Sequence, residues 1–132
     1  MKYTFTAQGH PNILSTHETT LEFTKDAHLT TKGDCIVAVG AAFELSRLKE
    51  FLDCRKVKIV IEAGNCKDVV TAVPNKKFSS SAEMVIRLGD FPSERTFATR
   101  ADKSAAMLDR KLIHTLKNGA QAAITISEVN NI

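Results

Sequence analysis

Pro11-Asn12 returns later in the chain as Pro74-Asn75, and the pattern that follows returns with it. Leu21-Glu22-Phe23 is matched by Met84-Val85-Ile86, and Val37-Ala38-Val39-Gly40-Ala41 by Phe97-Ala98-Thr99-Arg100-Ala101. A helical stretch and a closing strand follow in each case. A half-chain of this size cannot bury its own faces, so two such halves must share one core. The expected fold is α+β: a single domain over 1–132, made of copies 1–66 and 67–132. Each copy is β-β-β-α-β, and the two are related by a pseudo-twofold axis. The strands form a mostly antiparallel sheet or partial barrel with two covering helices. The repeat is also an internal control, because residues kept by both copies serve the fold first. In that alignment His10 and His17 stand opposite Val73 and Ser80.

Periodicity places the elements. Residues 2–8 alternate through Tyr3, Phe5 and Ala7, as a half-buried strand does. Gly9-His10-Pro11-Asn12 is a turn, and Thr19 to Lys25 alternates again. Cys35 to Val39 is a continuous, β-branched apolar run, expected as a central strand buried on two sides. Leu45, Leu48, Phe51 and Leu52 predict a helix over 43–54. Val57 opens a strand, Gly64-Asn65 turns it, and Asp68 to Val73 returns. Glu83 to Leu88 and Thr96 to Ala101 are strands of the second copy. Asp102 is the expected N-cap of a helix carrying Ala105, Leu108, Leu112 and Leu116, which stops near Asn118-Gly119. Ala122 to Val129 is the last strand. Short connections imply antiparallel pairing among the first three strands, with the helix crossover joining two strands in parallel.

Composition narrows the class. With 43% apolar and 25% charged residues in 132, the chain reads as an ordinary globular protein. No apolar run approaches the roughly 20 residues a membrane span needs, and the first residues lack a signal-peptide core. Three widely spaced cysteines form neither a disulfide framework nor a zinc half-site. A cytoplasmic location with reduced thiols is expected, and no membrane partner. The net charge of +3 permits an anionic partner without demanding one.

Gly9-His10-Pro11-Asn12, His17-Glu18-Thr19-Thr20-Leu21-Glu22, Gly33-Asp34-Cys35-Ile36 and Val39-Gly40-Ala41 resemble an archaeal family known as domain-of-unknown-function family 371. Arg100-Ala101-Asp102-Lys103-Ser104-Ala105-Ala106 with Leu108-Asp109-Arg110, together with Arg87 and Arg95-Thr96, resembles that family's C-terminal signature. The resemblance covers most of the chain. It implies an archaeal, cytosolic, duplicated α+β protein and supplies no activity. The chain departs from the pattern at Ala72-Val73-Pro74, where the family tends to repeat Gly-His-Pro.

The residues that could carry chemistry concentrate in the first copy. If the first two strands pair, His10 and His17 come to one end of the sheet, and Asp34 and Cys35 open the third strand there. His10, His17 and Asp34 are then candidates to bind a divalent metal. They are also candidates, with Cys35, for catalysis, a histidine acting as general base with Asp34 orienting it, or Cys35 acting as nucleophile. Asn12 and Thr19 would complete the lining. Gly40-Ala41-Ala42 enters the first helix without a side-chain cap and could seat an anion. Glu18, Glu22 and Glu62 are candidate acids or bases. Glu22 reads as solvated between Leu21 and Phe23, and Glu62, ending an apolar strand, is the more interesting. Arg87, Arg95, Arg100 and Lys103 could gather as a basic patch, whereas the phenylalanines read as core.

The function expected first is binding of a small polar or anionic ligand, or a metal, at the His/Asp/Cys cluster; whether chemistry follows is open. Two other readings stand beside it. One is an RNA-associated accessory protein using the Arg/Lys patch, and the other is a homodimeric interaction module.

Overall fold

The computed structural model describes residues 1–129. Its strands are β1 (Lys2–Gln8), β2 (Thr20–Thr24), β3 (Ile36–Ala38), β4 (Val57–Ala63), β5 (Cys66–Pro74), β6 (Glu83–Arg87), β7 (Thr96–Thr99) and β8 (Gln121–Glu128). Helix α1 (Leu45–Lys49) lies between β3 and β4. A 3-10 turn (Ala105–Met107) and helix α2 (Arg110–Lys117) lie between β7 and β8. All eight strands join one mixed sheet in the order β1-β8-β4-β5-β7-β6-β2-β3. The sheet is not a closed barrel; a bridge between Gln8 and Val39 touches its two ends together.

The sheet has two unlike halves. In β1, β4 and β8 the residues alternate strictly, with Phe5, Ile59 and Ile124 inward and Lys2, Lys58 and Gln121 outward. That is the pattern of an antiparallel sheet with one face in water. In β2 and β7 every residue is buried, on both faces. The inner core is set by Phe5 edge-on to Phe23 and Phe43, by Phe78 edge-on to Phe97, and by Leu112, Ile113 and Leu116 of α2. Cutting Leu116 back to alanine should cost roughly 3 kcal/mol, as fully buried leucines do. No helix among the described residues is long and apolar enough to cross a membrane.

Several expectations are corrected. β1 and β2 do not pair; β1 pairs with β8, and β2 lies between β6 and β3. The pairings are antiparallel except β2–β3 and β6–β7, which are parallel and are joined by loops, not by a helix. The helices instead connect strands that are not neighbours. β3 is the last strand of the sheet rather than a central one, and packing, not a second strand partner, buries Val37 and Ala38. The helix expected over 43–54 keeps α-geometry only at Leu45–Lys49. Beyond it Phe51, Leu52 and Cys54 bond back three residues, in tighter 3-10-type turns.

Asp102 does not cap α2. Its carboxylate accepts from the Thr71 amide and hydroxyl, and Asp109 caps the helix through Lys111 N at 2.8 Å. The helix stops at the expected Asn118-Gly119: Asn118 closes α2 and Gly119 takes φ +92°. Arg110 ties α2 to the segment after β1 by donating to the Ser15 carbonyl at 3.0 Å, and to the 3-10 turn by donating to the Ala105 carbonyl at 2.7 Å.

Candidate functional site

Strands β2 and β6 pair so that Thr20 faces Arg87, Glu22 faces Val85 and Thr24 faces Glu83. Since side chains alternate, these six share one side of the sheet, and Leu21, Phe23, Met84 and Ile86 go to the core on the other. A polar row in mid-sheet needs partners, and it finds them. Cys35, immediately before β3, donates its thiol to Glu22 Oε1 at 3.7 Å. Arg87 Nε donates to Thr96 Oγ1 at 2.9 Å, and Arg95 Nη1 to Glu83 Oε2 at 2.9 Å.

Beside Glu22 and Glu83 opens a cavity of about 270 Å³, lined also by Thr24, Lys25, Asp26, His28, Ile36 and Ala82. Glu22 is 6% exposed. Burial, reinforced by the negative charge of Glu83 and partly offset by Arg95, pushes its carboxyl up to about 7. Near neutral pH it is therefore divided between its protonated and ionised forms. Burial and the Glu22 carboxylate likewise push the Cys35 thiol up to about 12. A thiol so held donates a hydrogen bond and carries little thiolate near neutral pH, which argues against Cys35 as an attacking group.

The other expected residues do not converge on this cavity. His10 Nδ1 accepts from the Asn12 amide at 3.0 Å, and His17 Nδ1 accepts from the Thr19 amide at 3.2 Å. Each ring is thus held in its own turn. Gly9 and His10 bond through their amides to Ala120 and Leu116, at the C-terminal end of α2, where a β-carbon on Gly9 would lie 2.0 Å from the Leu116 oxygen. The His17 carbonyl accepts from Ala106, ahead of the start of α2. The two histidine turns are anchored through their backbones at opposite ends of that helix, because the hairpin that would have joined them does not form. Asp34 meets this region through its backbone, its carbonyl accepting from Thr16 and His17. Among the described residues no group of three His, Cys, Asp or Glu side chains could hold a metal ion. The proposed His10, His17 and Asp34 set is not assembled.

Two other turns are closed by the same kind of bond. Asn75 Oδ1 accepts from the Lys77 amide, as His10 does from Asn12, and Ser80 Oγ accepts from Ala82, as His17 does from Thr19. Asn75 thus holds its turn as His10 holds its own, by accepting from the amide two residues on. The Asn12 side-chain amide donates to Leu29 O at 2.8 Å.

Thr19 is exposed at the start of β2. Gly40 has φ +55°, a reason for glycine. The chain from it reaches Glu44 extended, and the short α1 offers no anion seat. Glu62 is on the exposed face of β4, so the readings of Glu22 and Glu62 exchange places. Lys103 is paired with Asp68, Arg95 with Glu83, and Arg100 is exposed. Other cavities, such as one of about 310 Å³ beside Glu62 and Gly64, lack a buried ionisable group. Lys25, Asp26, His28 and Glu83 were not singled out from the sequence. The usable signal was the long turn-rich stretch after β2, which brings the first three to the cavity mouth.

A family model described as Domain of unknown function (DUF371) matches residues 5–129. An uncharacterised protein of Methanocaldococcus jannaschii is 31% identical over 133 residues, which span 96% of this chain and 98% of that protein. The chain belongs to this family.

Proposed function

We propose that this member of the DUF371 family is a cytosolic binding protein whose cavity beside Glu22 and Glu83 takes a small polar ligand rich in hydrogen-bond donors, such as a primary amine or a guanidine. The observation that carries the reading is the buried Glu22 carboxyl, held against Glu83 at the wall of a 270 Å³ cavity. Two carboxyl groups forced together are costly unless a proton or a cation separates them. A ligand cation placed there would replace that proton. Asp26 adds a third acid at the mouth, so an anion is the poorer fit despite Lys25 and His28. A carboxyl that titrates near neutrality is also matched to proton transfer, and Glu22 is the residue that would act as acid or base on a bound ligand.

The duplication belongs to this reading, and repeated backbone bonds support it. Thr16 N to Asp34 O corresponds to Ser79 N to Glu94 O, Glu22 N to Cys35 O to Val85 N to Arg95 O, and Gly40 N to Asp26 O to Arg100 N to Gly89 O. In this frame Glu22 and Cys35 stand where the second half has Val85 and Arg95. One half then carries the acid site and the other has lost it or never acquired it, all within a single domain.

Calorimetry of the full chain against putrescine, agmatine, acetate and inorganic phosphate tests the proposal. A binding amine or guanidine should release up to about one proton near pH 7, seen as a dependence of the heat on buffer, and Glu22→Gln should abolish that dependence. Saturable binding of the anions alone, or of nothing in the set, would contradict the reading.

A further inference from the structure

Phe91 is 62% exposed, against the expectation that the phenylalanines are core. It sits in the loop between β6 and β7, and the Arg87 guanidinium lies over its ring, 5.4 Å from the centroid. Arg87 is itself fixed by its bond to Thr96 Oγ1. The same loop is gripped by the segment after β7: Arg100 N donates to Gly89 O at 2.9 Å and Ala101 N to Arg87 O at 3.0 Å. Arg100 pays for that position with a left-handed backbone, φ +53°. Its counterpart by bonding, Gly40, has φ +55° and is a glycine, the residue that adopts this conformation without strain. An arginine kept exposed at a position that favours glycine points to use of its side chain.

We propose that Phe91, Arg87 and Arg100 form a landing site for single-stranded nucleic acid, an unpaired base stacking on Phe91 and the flanking phosphates meeting the two guanidinium groups. The chemistry fits that occupant. An exposed ring braced by a cation is a stacking platform, and arginine recognises phosphate. The loop 88–95 carries two acidic side chains, Asp90 and Glu94, so the two arginines meet phosphate as individual guanidinium groups and not through an excess of local charge. Arg95 and Lys103, the other members of the expected basic patch, are paired with acids and stay out of the site. This reading is independent of the Glu22 cavity.

Fluorescence anisotropy with labelled short oligouridine and oligoadenine strands, at low and moderate salt, tests it. The full chain should bind single strands more tightly than the matching duplex, with affinity falling as salt rises. Phe91→Ala should weaken binding about tenfold. Arg100→Gly should reduce the logarithmic salt slope by about one while leaving the melting temperature equal or higher, since glycine relieves the strained backbone. Absence of binding at low salt, equal binding of duplex, or Phe91→Ala binding like the parent chain would overturn the proposal.

Discussion

The Cys35 thiol donates to the Glu22 carboxylate across 3.7 Å; the carboxylate opposes ionisation of the thiol, while the thiol's hydrogen bond offsets part of the burial that raises Glu22. A thiol pushed up to about 12 carries almost no thiolate at pH 8. Alkylation of the folded protein by iodoacetamide, followed by mass spectrometry, should leave Cys35 unmodified long after denatured chain has reacted. Rapid labelling of native Cys35 would contradict the geometry.

Glu22 should make stability depend on pH in a defined direction. Its folded value, about 7, lies above the ordinary 4.5, so the native state binds the extra proton between these two. Stability is therefore greatest below about pH 4.5 as far as this group is concerned, falls as pH rises to about 7, and is flat above. Glu22→Gln removes the ionisation and should stabilise the protein by roughly 2 kcal/mol at pH 8, with little effect at pH 5. Urea denaturation at the two pH values measures the difference.

Asp68 should act with the opposite sign. Burial works to raise its carboxyl, but the Lys103 ammonium and the amides of Asp109 and Val69 outweigh that and hold it below the usual range. Its contribution is present above the ordinary carboxylate value of 3.8 and is lost as pH falls through the lower folded value. Asp68→Asn should cost roughly 2 kcal/mol at pH 7 and progressively less in acid, because an amide leaves Lys103 without its counter-charge and one acceptor oxygen short.

The histidine turns make a sharp comparison. His10→Asn places in the first turn the acceptor that Asn75 supplies in the second, and should melt close to the parent protein. His10→Ala removes the acceptor and should cost about 1 kcal/mol. His17→Ser and His17→Ala should differ in the same sense, since Ser80 holds the corresponding turn. A large loss in the two conservative variants would mean the imidazoles do more than accept a backbone proton.

Local pattern reached the strands whose faces differ. Tyr3, Phe5 and Ala7 alternate with polar residues and so mark β1, and Gly64 with φ +58° marks the β4–β5 hairpin. What local pattern could not carry was which strands become neighbours. β1 finds β8 at the far end of the chain, and β2 runs parallel to β3, so the end of the sheet that would have gathered both histidines does not exist. The same gap hid Glu22. Between Leu21 and Phe23 it reads as solvent-facing, and the structure buries it because Cys35, Ile36 and the stretch that follows β2 cover that face. Glu62 shows the identical alternation in β4, where nothing covers the outer face, and it stays in water. The position of Gly119 was legible because a helix end is local; the Asp102 cap was not, because Thr71, far off in sequence, captured the carboxylate.

Carbon-13 detected NMR of the Glu22 side-chain carboxyl as a function of pH tests the central claim most directly. The account expects its resonance to titrate near pH 7 in the free protein, and to titrate well below that when a saturating amine or guanidine occupies the cavity. A midpoint near 4.5 in the free protein, or one that no such ligand moves, would contradict it.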